Sequence, residues 1–352
     1  MSDNKKNKGL GLPQTKGQFQ LKGIVTGTQK DKFYIEKQTK TDKPFRAVSF
    51  GVEFAKDATV YTSLTGMEQD KVYFSKSTKD ANGKKTTETT DVLWKDRLIF
   101  NKEGFRLIGV NVGVSKTKDE KGNDVNDKKS LTGYDACKEI ADNLVDNKSV
   151  FIKGNVEYGT YNDKHTTKFV PSQISLCKDV DFESEDFKPD AEFQQTIVYM
   201  GIKPNDDKTK FTVDAKIVTY NSVEDAEFFI TDVSLANMFR KNLKPYTSIK
   251  VWGNISVEKQ VEEVQETDCW GSTNDMDKIN APTLRELIIT GADPTTIEKE
   301  TYSESAIEAA IAKVKANKKA DSDYGNTGDD KWGSVSTSSS TDTTDDEEDS
   351  AW

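Results

Sequence analysis

The stretch KDKFYIEKQTKTDKPFRA, residues 30–47, threads cations between flat rings. Lys32, Lys37, Lys40, Lys43 and Arg46 supply the charge, and Phe33, Tyr34 and Phe45 supply the rings. Two later stretches repeat the mixture. DVLWKDRLIF adds Trp94, Lys95 and Arg97, and EYGTYNDKHTTKF adds Tyr158, Tyr161, Lys164, His165 and Lys168. Cations in series neutralise successive phosphates, while rings stack on unpaired bases at about 1–3 kcal/mol each. That chemistry suits a single strand of nucleic acid.

Strand parity sorts the rings that are free from those in the core. Val48, Phe50, Val52 and Phe54 alternate with Ala47, Ser49, Gly51 and Glu53, so both phenylalanines belong to the core. Phe33 shares a face with Ile35 and Tyr34 points the other way, which makes Tyr34 the expected stacker. Trp252 stands opposite the Ile249/Val251 parity and is a further candidate. His165 sits in an expected hairpin, where a stacking or phosphate role and a plain solvent-facing turn fit equally.

Other chemistries find no footing. The chain has no P-loop, no G-x-S-x-G and no H-E-x-x-H. Three cysteines without a C-x-x-C pair and one histidine give no metal site. A Cys–His pair through His165 is the one His-dependent arrangement left, and nothing marks Cys137, Cys177 or Cys269 as activated. The expectation is a binding protein with no cofactor and no catalytic residues. No run approaches the 18–20 apolar residues of a membrane span, and the opening MSDNKKNKGLGLPQTKG lacks a signal-peptide core. Sparse cysteine and no leader point to a cytoplasmic location.

The elements that must position these residues are mostly strands. β-like patterns run from Phe19, through FGVEF, to FRLIGVNVGV with Ile108, Val110, Val112 and Val114 on one face. The polar segments SKSTKDANGKKTTETT and SKTKDEKGNDVNDKKS read as loop insertions. A helix follows, with Ala136, Ile140 and Leu144 on one face and Cys137, Ala141 and Val145 beside them. Two strands joined around Asn162-Asp163 come next.

The pattern then recurs. LVDNKSVFIKGNVE at Leu144–Glu157 aligns with LKPYTSIKVWGNIS at Leu243–Ser256, 99 residues later, and FQLKGIV resembles FQQTIVY. Each copy has three strands, a helix and two strands, which is the order of an OB-fold; a Greek-key sandwich is the competing architecture. The expected fold is mainly β, with two OB-like barrels in tandem. Expected boundaries are a flexible basic arm (1–17), a first domain (18–180), a linker (181–191), a second domain (192–296), a helix (297–320) with Ser305 and Glu308 as its capping box, and an acidic tail (321–352).

That tail holds ten acids and one base, so it accounts for −9 of the net charge of −10. The body is close to neutral and can carry a basic groove. The tail's Ser, Thr, Gly and Asp composition points to disorder. It closes on DDEEDSAW, where Asp345, Asp346, Glu347, Glu348 and Asp349 precede Trp352. An indole without a core to join suits a portable ligand better than a solubilising end.

The OB-like order, the lysine–aromatic stretches and the acidic ending together resemble replicative single-stranded-DNA-binding proteins of phage type. The usual tip of that family ends in Pro-Phe and this one ends in Ala-Trp. The resemblance implies sequence-tolerant binding and protection of single-stranded DNA in replication, recombination or repair, in the host cytoplasm if phage-encoded. It also implies a tip that recruits polymerases, helicases, primases or recombinases. A tandem-OB adaptor without DNA binding, and an RNA-binding or strand-annealing protein, are the alternatives. The acidic insertion EKQVEEVQETDCW in the second domain would repel DNA, so the first domain is expected to bind more strongly.

Overall fold

The computed structural model of the chain describes residues 9–39, 41–79, 85–161, 164–259 and 283–324. Its first unit opens with Gly17–Thr26 (β1), Tyr34–Gln38 (β2), Pro44–Ala55 (β3) and Ala58–Met67 (β4). A long insertion follows: Lys71–Lys79 (β5), Lys85–Leu93 (β6), a 3-10 turn at Trp94–Asp96, Arg106–Leu107 (β7), Val110–Gly113 (β8), Lys116–Lys118 (β9), Asp124–Asn126 (β10) and Lys129–Leu131 (β11). Helix α1, Gly133–Asn143, then leads into the hairpin Ser149–Tyr161 (β12) and Lys164–Leu176 (β13). β1 pairs with β3, β3 with β4, β4 in parallel with β13, β13 with β12, and β12 with β1 again. Five strands in that cyclic order, with a helix between the third and fourth, form a closed OB barrel.

The second unit repeats the circuit without the insertion. Asp190–Pro204 (β14), Phe211–Val218 (β15), Val223–Ile230 (β16), helix α2 at Val233–Asn242, Thr247–Lys259 (β17) and Thr283–Glu298 (β18) close in the same order, again with one parallel pairing, β16 to β18. The repeated Gly-Asn has a physical reason. Both hairpins shift register there, and a Cβ at Gly154 or Gly253 would lie about 2.0 Å or 1.8 Å from the Val170 or Ile288 carbonyl oxygen.

The two barrels are joined edge to edge. β1 pairs antiparallel with β14, and Phe19 stands opposite Phe193, its own counterpart in the repeat. Buried residues of both units form one continuous cluster, in which Phe19 packs on Phe169 and Phe193 on Phe228.

Alternation sets the core as the sequence suggests. Val48, Phe50, Val52, Phe54, Ala136, Cys137 and Ile140 are buried, and Trp252 is not. Ile108 and Val145 depart from their patterns and are exposed, at 57% and 45%. Arg106–Leu107 pairs with the inserted β5 rather than with the barrel, so the run of alternating valines begins only at Val110. The helix after β18, α3 at Glu304–Tyr324, starts seven residues later than position 297. Ile307 donates its amide to the Ser303 carbonyl, so the helix opens ahead of Ser305.

The segment read as a free arm is docked where it is described. Leu10 is buried with Val198, Val218, Tyr302, Ile307 and Ala310. The Tyr302 hydroxyl donates to the Pro13 carbonyl, and Thr15 exchanges hydrogen bonds with Val218. Residues 9–16 thus lie between the second barrel and α3. No described helix is long and apolar enough to cross a membrane.

Candidate nucleic-acid interface

The outer face of β3 and β4 carries rings that each have a lysine alongside. On β4, Val60, Thr62 and Leu64 point inward and are buried, while Tyr61, Ser63, Thr65 and Met67 point outward. Tyr61 is 42% exposed and the Lys30 ammonium stands 5.6 Å from its ring centroid. Gly51 lies directly across the pair, where a Cβ would crowd Thr26 and Thr59 at 2.6 and 2.8 Å. At the other end of the same face Phe45 stands opposite Met67, and β2 places Lys37 opposite Phe45, with its ammonium 5.6 Å from that ring. From Tyr61 to Met67 the face runs about 20 Å at the rise of a strand. A ring for a base, flanked by a cation for its phosphate, is the arrangement that sequence-tolerant binding requires.

A second group sits at the barrel's end and is turned inward. Tyr34 is half-buried and its hydroxyl donates to Glu36 at 2.6 Å. Burial, reinforced by the Glu36 carboxylate, pushes that phenol up. Arg46 donates from Nε and Nη2 to Glu36 at 3.0 and 2.8 Å, and its guanidinium stacks 3.9 Å from the Tyr134 ring. Tyr134 meets Trp94 edge to face at 5.8 Å, and Arg97 stacks 4.0 Å from Trp94. Arg97 closes the series by a two-pronged bond to Asp135 at 2.7 and 2.8 Å. Four residues chosen as DNA contacts, Tyr34, Arg46, Trp94 and Arg97, are therefore brought together as a ladder that fastens the insertion to α1. Gly66 makes this approach possible, since a Cβ there would lie 2.0 Å from the Tyr134 amide nitrogen. Their partners are Glu36 and Asp135, and a phosphate would have to displace those carboxylates.

Burial works against the charge of Asp135, but hydrogen bonds from Arg97 and Thr132 outweigh it and hold the carboxyl below the usual range. A depressed folded value means that this stabilisation is present above the ordinary carboxylate pKa of about 4 and is lost as pH falls through the folded value. Both side chains of the Arg97–Asp135 pair are only 13% exposed. Asp135→Ala is expected to cost about 3 kcal/mol of stability near neutral pH, measured by chemical denaturation, because it strands a guanidinium. The difference from the wild type should shrink in acid, and a substitution that costs nothing would refute the clamp.

A third group lines a cleft of about 720 Å³ between the barrels. Tyr158, His165 and Lys168 reach it from the β12–β13 hairpin, together with Tyr61 from β4. Barrel two supplies Asp214 and Lys216 from β15, Asp225, Glu227 and Phe229 from β16, and Arg285 from β18. Tyr158 is turned inward onto Phe228, and its hydroxyl is buried with no hydrogen-bond partner among the described residues. Arg285 crosses to barrel one and donates to the Thr167 carbonyl at 2.7 Å.

The remaining candidates are scattered. Lys32 and Lys95 are exposed, and Lys43 makes a loose ion pair with Asp70 at 3.4 Å. Trp252 is half-exposed and covers Gly291, where a Cβ would lie 2.6 Å from the indole nitrogen. Lys40, the side chains of Tyr161 and Lys164, and the tail with Asp345, Asp346, Glu347, Glu348, Asp349 and Trp352 lie outside the described residues. Cys137 is buried and its thiol is pushed up to about 12 by that burial; Cys177 is raised by the same cause. Neither of these two thiols is activated, and Cys269 lies outside the described residues.

Tyr61 escaped the sequence argument although its signal was present. TVYTSLTGM alternates as plainly as FGVEF, and Tyr61 has the parity opposite to Val60 and Leu64. This strand carries no lysine between Ala58 and Met67, and the lysine beside Tyr61 lies 31 residues upstream.

A protein-family model described as YorF matches residues 79–327. No curated protein matches the chain. Among solved structures, the wild-type single-stranded DNA binding protein from Thermus aquaticus is similar at 9% identity and a TM-score of 0.37, over 80% of this chain and 93% of that one. A deletion mutant of the same protein gives 9% and 0.37, over 80% and 94%. A superposition that loose transfers neither residues nor ligands. The family match takes in α1, the β12–β13 hairpin, all of barrel two and most of the cleft, and leaves out β1–β4 with Tyr61 and Phe45. It spans well over half of the 352 residues, and on that footing the chain belongs to the YorF family.

Proposed function

We propose that this chain binds single-stranded DNA with little sequence dependence, and that it does so as a binding protein in replication or recombination rather than as an enzyme. The observation that carries this is the open outer face of barrel one, where Tyr61 with Lys30 and Phe45 with Lys37 form ring–cation pairs on a closed OB barrel. Barrel two has a comparable pair, the Lys210 ammonium 4.7 Å from the Phe229 ring, but Glu286 already answers that lysine. The corresponding face of barrel two presents Asp214, Asp225 and Glu227, and Lys203 and Lys216 are already paired with the first two at 2.7 and 2.6 Å. Binding by barrel one and weaker engagement of barrel two follow. The segment Asp345–Trp352 would recruit replication or recombination proteins, its acids steering and its indole anchoring.

Fluorescence titration with oligo-dT, oligo-rU and duplex DNA tests the central claim. Strong quenching by oligo-dT, with log K falling linearly in log salt by roughly 0.7 per phosphate neutralised, is expected. Equal or tighter binding of oligo-rU would make RNA the ligand. No response to any of the three would leave an adaptor.

A further inference from the structure

Barrel two's wall of the cleft presents three groups of complementary chemistry, Arg285, Phe229 and Glu227. Arg285 uses one of its five N–H donors on the Thr167 carbonyl and has no carboxylate partner among the described residues. Phe229 is half-buried and lines the cleft, with the Lys210 ammonium 4.7 Å from its ring centroid as a cation beside the ring. Glu227 lies two residues before Phe229 on β16, hence on the same face and roughly 7 Å away. Asp214 and Asp225 beside it are held by Lys203 and Lys216. Glu227 is exposed and has no hydrogen bond or ion pair among the described residues. Across the gap Lys168 and His165 form the opposing wall.

A free carboxylate in a DNA path is at first sight only a repulsion. Its chemistry allows something narrower. An ionised carboxylate accepts hydrogen bonds and donates none. Cytosine and adenine present an exocyclic amine, whereas thymine presents a carbonyl oxygen at the same edge, and acidic side chains accept from the cytosine amine in known base readout. We propose that the inter-barrel cleft is a base-reading subsite for single-stranded DNA, in which Arg285 holds a phosphate, Phe229 stacks the base and Glu227 accepts from an exocyclic amine. The subsite rests on the single-strand reading above and adds to it a mild preference for cytosine or adenine over thymine.

Fluorescence anisotropy of the full chain with oligo-dC and oligo-dT of equal length, at one neutral pH and one salt concentration, tests it. The wild type is expected to bind oligo-dC about three- to tenfold more tightly, the worth of about one base-edge hydrogen bond. Glu227→Ala should weaken oligo-dC, leave oligo-dT unchanged or tighter, and bring the ratio to about one. Arg285→Gln should weaken both oligomers by a similar factor and lower the salt slope by about 0.7. If Glu227→Ala tightens both oligomers equally, the carboxylate merely repels and the subsite is refuted; a wild type that does not distinguish the two refutes it as well. Failure to bind either oligomer would instead remove the single-strand reading on which it rests.

Discussion

Replacing Tyr61 and Phe45 together by alanine is expected to weaken binding to oligo-dT about 100-fold. Each ring is worth about 1–3 kcal/mol as a stacking platform, and 1.4 kcal/mol is a factor of ten. Tyr61 is 42% exposed, so its loss opens no cavity, and the unfolding midpoint of the single Tyr61→Ala variant should stay near that of the wild type. The adjoining cations are expected to act differently. Lys30→Ala with Lys37→Ala should lower the salt slope by about 1.4, the signature of two phosphate contacts, without changing the preference among bases. Replacing Lys203, Lys210 and Lys216 in barrel two should change affinity less than threefold, because each already answers a carboxylate: Asp214, Glu286 and Asp225. A loss in barrel two as large as that in barrel one would refute the division of labour, and an unchanged affinity in Tyr61→Ala/Phe45→Ala would move the interface off this face.

Arg46 shows why lysine–aromatic density is an incomplete guide to such a face. In the sequence it looks like one more cation in a basic stretch. In the fold it has the parity of Val48 and Gly66, so it points to the barrel's end, where Glu36 and Tyr134 take up its charge and its plane. Tyr134 lies 88 residues away and on a helix; no spacing rule connects them. Tyr34 has the same parity and the same fate. Trp94 and Arg97 were equally visible as types and equally unreadable as contacts, because the insertion that carries them folds back onto α1 through Asp135. The barrels themselves were legible for the opposite reason. Period-2 burial, the helix after the third strand and the repeated Gly-Asn are local patterns with local causes, down to the carbonyl that forbids a Cβ at Gly154 and Gly253. The cleft was half legible. The β12–β13 hairpin announced Tyr158, His165 and Lys168, but the wall opposite them depends on the β1–β14 pairing, which no feature of either strand declares.

The second large effect concerns the segment Asp345–Trp352. A chain truncated after Thr344 is expected to bind oligo-dT at least as tightly as the full chain at low salt, and to lose capture of replication proteins from a host extract. Five carboxylates in eight residues form an anionic ligand tethered to the protein it would compete on. Twenty residues separate Tyr324, the end of α3, from Asp345, a connection that spans at most about 70 Å when fully extended and keeps the segment at an effective concentration of millimolar order. Added salt should erase the difference between the two chains, since both the DNA and the acidic segment act through charge. Trp352→Ala separates the two roles. Burying an indole removes about 150–250 Å² from water, worth several kcal/mol at about 25 cal/mol/Å², so its loss should reduce partner capture at least tenfold. Oligo-dT affinity should barely move in that variant, because every acid remains. Undiminished capture by Trp352→Ala would show that charge alone recruits the partner, and weaker DNA binding after truncation would show that the segment supports the strand instead of competing with it.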